Sequence, residues 1–180
     1  MNRARNANAA FALVLAASAV TAAASAPAAG GARWTVPSHW TEQPSRSMRV
    51  ATYAIPGPKG AEPGECGVFF FGAGRGGTVE ENIARWSAQF QGSPKPQTAT
   101  VTVHGMAVHR VDIAGTYLSP GGPMMQSQGS KANYRLLGAI VEAPSGLVFF
   151  KCVGPAATIA AAEKDFEALI HSIEKAGSTI

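Results

Sequence analysis

Residues 66–92 read CGVFFFGAGRGGTVEENIARWSAQFQG, and their order decides the fold: an apolar run, a glycine-rich break, then an amphipathic segment. Cys66 to Phe71 is apolar at successive positions, the pattern of a central strand covered on both faces. Thr78 and Glu81 have the spacing of a capping box, in which each side chain takes up a backbone N–H at a helix start. Val79, Ile83, Trp86 and Phe90 then recur at i, i+4, i+7 and i+11, a single apolar stripe. Glu81 and Arg85 fall four apart on the polar face. Gly92 supplies the stop signal, so the predicted helix runs from Thr78 to Gly92.

Upstream, Trp34 to Trp40 carries Pro37 between aromatic flanks and predicts a short edge strand followed by a turn. Met48 to Ile55 mixes β-branched, aromatic and polar residues as a strand does, and Pro56-Gly57-Pro58 ends it. Downstream, ATVTVHG and MAVHRVDIAGTYL read as two strands hinged at Gly105. In the second, His109, Val111 and Ile113 share one face and Arg110 and Asp112 the other. Ser119 to Asn133 has Gly, Pro, Ser and Gln without periodicity and predicts a long mobile loop. NYRLLGAIVEA and LVFFKCV flank Pro144-Ser145-Gly146, a hairpin signal. After Gly154-Pro155 a second helix places Ile159, Ala162, Phe166, Leu169, Ile170 and Ile173 on one side. Short turns between strands favour antiparallel pairing. The expected class is α+β: an antiparallel sheet of about six to seven strands flanked by two amphipathic helices.

The first residues belong to another category. Arg3 and Arg5 precede an apolar, Ala-rich stretch from Ala9 to Ala24, and small residues follow up to Pro27. This is the pattern of a cleavable secretory signal peptide. The apolar stretch is too short and too Ala-rich for a stable span, so no membrane anchor is expected after cleavage. The expected organisation is a signal peptide over 1–26, a flexible lead over 27–33, one domain over 34–176 and a tail over 177–180. Loss of the leader removes Arg3 and Arg5 from a chain of formal charge +4. No two Lys or Arg residues are adjacent, so neither a nucleic-acid stripe nor a polybasic membrane patch is expected. The expected location is the periplasm or the exterior.

Chemical constellations are sparse. Gly72, Gly74 and Gly77 match G-x-G-x-x-G between strand and helix, the setting of a dinucleotide site. No acid follows at the ribose-binding distance, and Asp112 is the first after Glu81. The plainer reading is a turn into a capped helix. Gly74, Arg75, Gly76 and Gly77 remain weak candidates for an anion site. His39, His104, His109 and His171 do not form a metal set, because alternation separates His109 from Asp112. No G-x-S-x-G elbow occurs, Met124-Met125 is too short for a copper-binding tract, and no catalytic, cofactor or metal residue is expected. Cys66 opens one strand-like run and Cys152 closes another. If those strands were antiparallel neighbours the sulfurs could meet as a disulfide; otherwise two buried thiols would pack as small apolar groups.

Several stretches together resemble exported bacterial proteins of the PsbP-like superfamily, which includes DcrB-like proteins. They are W-x-V-P-x-x-W at Trp34, R-V-A-T-Y-x-I-P at Arg49, the T-x-E-E-N-I-x-R-W helix, Y-R-L-L-G-A-I-V at Tyr134, V-F-F-K-C-V-G-P at Val148, and F-E-A-L-I-x-S-I at Phe166. The resemblance covers most of Trp34 to Ile173. It implies an α/β/α sandwich and a non-catalytic binding or assembly role, with another envelope protein as partner. Two alternatives stand beside it: a small-ligand or anion-binding periplasmic domain, and a hydrolase using His104 or His109.

Overall fold

The computed structural model describes residues 26–118 and 129–177. Seven antiparallel strands form one sheet in the order β3-β4-β5-β9-β8-β7-β6. These are β3 (Thr41–Glu42), β4 (Ala51–Ile55), β5 (Gly64–Phe70), β6 (Gln97–Val103), β7 (Met106–Leu118), β8 (Ser130–Ala143) and β9 (Gly146–Pro155). A smaller sheet joins β1 (Ala28–Ala29), β2 (Ala32–Arg33) and β10 (Glu174–Lys175). The expected α+β class, with a seven-stranded antiparallel sheet and helices packed on it, is what the chain adopts.

The central strands are apolar on both faces because each face has a cover. On one side, Val108, Ala139, Val141 and Phe150 pack beneath Ile159, Phe166, Leu169 and Ile170 of α2 (Ala156–Ala161) and α3 (Glu163–Ser172). Trp34 closes that core, edge-on to Phe150 with ring centres 5.1 Å apart, and its indole N–H donates to the Tyr53 hydroxyl. On the other side, Val111, Ile113, Leu136, Ile140 and Phe149 meet Trp86 of α1 (Val79–Ser87) and Phe90. The face assignment of β7 is as expected: Val111 and Ile113 lie under α1, whereas Arg110 pairs with Glu167 and Asp112 with Arg135 on the α3 side.

Several boundaries differ from expectation. Trp34 to Trp40 is not a strand: its backbone is taken up by the turn bond from Trp40 N–H to the Pro37 carbonyl, and pairing shifts outward to β2 and β3. Residues 27–33, expected as a flexible lead, include the β1–β2 hairpin, and β10 pairs along β2. Helix α1 stops at Ser87 rather than continuing to Gly92. The cause lies in β7, whose pairing with β6 ends at Asp112. Farther along that edge, Gln91 N–H donates to the Thr116 carbonyl and Leu118 N–H to the Gln89 carbonyl. An open strand edge thus draws residues 89–91 out of the helix. Strand β8 begins at Ser130, inside the expected loop, and residues 119–128, including Met124 and Met125, lie outside the described residues. The closing helix divides at Ala162 into α2 and α3, yet its apolar side is buried as the periodicity predicts.

Candidate functional site

The Cys66–Cys152 pairing follows from strand register. β5 and β9 run antiparallel with Cys66 directly opposite Cys152, Cα atoms 3.9 Å apart and sulfurs at disulfide distance. Both side chains are buried in the α2–α3 core, so the pair is a staple with no access for chemistry.

The glycine loop carries the chain from β5 into α1. Gly72, Gly74, Gly76 and Gly77 all have positive φ, which lets the chain reverse from β5 into α1. The capping box is complete. Thr78 Oγ1 accepts from Glu81 N–H at 3.1 Å, and a Glu81 carboxylate oxygen accepts from Thr78 N–H at 2.8 Å. Asn82 Nδ2 donates to the Gly76 and Thr78 carbonyls. Gly74, Arg75 and Gly77 line an open cavity of about 460 Å³ together with Glu142. An anion there would meet Arg75 but also the Glu142 carboxylate. The expected Glu81–Arg85 pair does not form; Arg85 instead donates to Asn82 Oδ1.

The histidines stay apart. His39 bonds Asp165 and His104 donates to the Ile173 carbonyl. His109 lies between Thr100 and Glu142. Among the described residues no three His, Cys, Asp or Glu side chains gather as a metal site. Thr100, His109 and Glu142 thus form a hydroxyl–imidazole–carboxylate sequence, of which only Glu142 lines the cavity beside the glycine loop.

What the sequence did not single out is Lys151. It stands between Phe149 and Val153 on the α1 side of β9, cross-strand from Gly67 and Gly138, over which Phe69 and Trp86 lie. Its ammonium donates to Gln89 Oε1 and lies 5.8 Å from the Tyr117 ring centre. Among the described residues it has no carboxylate partner; Glu65 nearby is held by Arg46 and Arg49 at 2.8 and 2.6 Å. Burial pushes Lys151 down to about 8, Arg49's charge adds to the effect and Glu65 opposes it. Burial likewise raises the Tyr117 phenol. The signal was present in the sequence: one lysine inside VFFKCV, at a position whose neighbours two residues away are buried or half-buried apolar.

This shift has a testable sign. Below about pH 8 both folded and unfolded chains carry the charge and the whole cost of burying it is present. Between about 8 and the ordinary value of 10.5 the unfolded chain holds more protons, so this cost falls as pH rises. Lys151→Met is therefore expected to melt above the wild type at neutral pH. Melting curves at increasing pH should show that advantage shrinking through this window.

Two further features face outward. Beside α1, Phe69, Phe71, Trp86 and Phe149 enclose a cavity of about 160 Å³ with Lys151 and Arg85 on its wall. At the sheet margin, among the described residues, β6 pairs only with β7 and no strand lies along its other edge. Gln97 to Thr102 is exposed or half-exposed and carries no charge. A groove of about 510 Å³ flanks this edge on the α1 side, lined by Ile83, Ala84, Pro94 and Pro96. A second, of about 210 Å³, flanks it on the α3 side, where Ala99, Arg110 and Phe166 contribute.

No family model matches the chain, and no curated protein matches it. Among solved structures, a Pseudomonas aeruginosa protein of unknown function is 12% identical with a TM-score of 0.44, covering 74% of this chain and 95% of that one. A Bacteroides thetaiotaomicron protein is 13% identical with a TM-score of 0.40, covering 86% of this chain. This chain spans 48% of that protein's length.

Proposed function

We propose that this chain is an exported, non-catalytic interaction module of the cell envelope, of PsbP-like kind, that receives an extended segment of a partner protein along β6. The observation that carries this reading is the bare edge of β6. Sheet proteins ordinarily blunt such an edge with charge, proline or cover, because its unpaired N–H and C=O groups template a further strand. Here Lys95 and Pro96 stop short of the strand, and TATVTV runs without a charge. Added strands gain affinity from main-chain bonds and specificity from pockets taking alternate side chains, and a groove flanks this edge on each side. The basic, Ala-rich leader supports export, as does the paired cysteine geometry.

The test places a charge at two exposed edge positions, Thr98→Lys with Thr102→Lys. The mature wild-type domain should retain an envelope protein whose addition slows hydrogen exchange of the β6 amides. The double variant should fold with a near-unchanged Tm and lose retention. Equal retention by the variant, or protection elsewhere but not in β6, would overturn the reading.

A further inference from the structure

The cavity beside α1 is walled by aromatic rings and supplied with hydrogen-bond donors that lack acids. We propose that it binds a small aromatic carboxylate of about benzoate size, ring between the phenyl walls and carboxylate on Lys151 Nζ and the Gln89 amide. The inference is independent of the β6 reading, since it rests on a different surface.

The walls come from two strands and a helix. Phe69 and Phe71 are stacked with centres 6.3 Å apart, and Phe71 lies 5.8 Å from Phe149 at a tilt. Phe69, Phe71 and Phe149 project from β5, its exit and β9, while Trp86 descends from α1. A space of about 160 Å³ compares with the ~150 Å³ apolar cavity known to admit benzene. It has the volume for one ring, with the carboxylate at its open side.

The charge of the ligand follows from what remains unused. Lys151 spends one N–H on Gln89 Oε1, which leaves two. Gln89 Nε2 has no acceptor among the described residues, and Arg85 is bonded only to the neutral Asn82 amide. Among the described residues no Asp or Glu lines the cavity. Arg49 reinforces the positive field: its guanidinium carbon lies 5.4 Å from the Phe69 ring centre. Around Lys151 the other charged groups are Arg49 and Glu65, and Glu65 is already held by two arginines. A neutral aromatic would leave these donors unmet, and a simple phosphate would leave the half-buried Phe69 and Phe71 rings uncovered. The amphipathic anion satisfies both requirements.

The experiment titrates the intact mature domain with benzoate, benzamide and inorganic phosphate by calorimetry at neutral pH. Benzoate should bind saturably, and benzamide, lacking the charge, about tenfold or more weakly. Benzoate affinity should fall about tenfold or more in Lys151→Met, and in Gln89→Leu should one variant misfold. It should fall as pH passes about 8, where the ammonium titrates. Arg75→Ala and the Thr98→Lys, Thr102→Lys variant should bind benzoate as the wild type does, which separates this site from the glycine loop and the β6 edge. Equal binding of benzoate and benzamide, unchanged affinity without Lys151, or no saturation by about 10 mM would overturn the proposal.

Discussion

Reducing the Cys66–Cys152 pair should lower the melting temperature of the mature domain by about 8–20 °C. The bond closes a loop of 86 positions between two neighbouring central strands. On the chain-entropy view, opening such a loop in the unfolded ensemble is worth roughly 4–5 kcal/mol. For a chain of this size each kcal/mol moves Tm by about 2–4 °C. The folded structure itself should change little, because five other residue pairs join β5 to β9, and β4 and β8 flank them through five and ten pairs. Melting scans with and without reductant measure the shift. A Cys66→Ala, Cys152→Ala variant should reproduce it and become indifferent to reductant. Mass spectrometry of protein secreted by its producing cell should show two fewer hydrogens without reductant and loss of residues 1–26. Coincident melting curves would mean that the cysteines pack as thiols, and an intact leader would remove the case for an oxidising compartment.

How much of this was legible in advance depended on the range of the interaction. Hairpins were legible: Pro144-Ser145-Gly146 and the Gly105 hinge set β8–β9 and β6–β7, because turn chemistry is local. The burial of α2 and α3 was legible from periodicity, as was the start of α1 from its capping box. Elements decided by a distant partner were not. Nothing in residues 27–33 announces pairing with Glu174–Lys175, and nothing near Gly92 shows that β7 will capture residues 89–91. The candidate cavity shares this character. Its lining comes from β5, α1 and β9, so no window of sequence contains it. Lys151 was a visible irregularity, a charge inside an apolar strand, and its meaning required knowing that Gln89 and Tyr117 meet its ammonium.

Gly138 ties the helix to the sheet, and a single methyl there should be expensive. A Cβ on Gly138 would lie 2.2 Å from Trp86 Cζ3 and 2.9 Å from Cε3. The ring cannot retreat freely, since Trp86 is 5% exposed and packed among Phe90, Ile140 and Phe149. Nor can the strand, because Gly138 pairs with Val111 on one side and Lys151 on the other. Overpacking of this kind costs about 1–3 kcal/mol, and the closeness of the contact puts Gly138→Ala at the upper end. The expected Tm loss is about 6–12 °C. The clash also predicts coupling. Trp86→Ala alone opens a cavity and costs about 3–5 kcal/mol. In the double variant the new methyl no longer meets a ring, so the two losses should fall short of additivity by ~1 kcal/mol or more. Strict additivity in that cycle would show that Trp86 does not rest on Gly138. Because Trp86 is also a wall of the aromatic cavity, Gly138→Ala should weaken benzoate binding while leaving capture at β6 intact, a split that destabilisation alone would not produce.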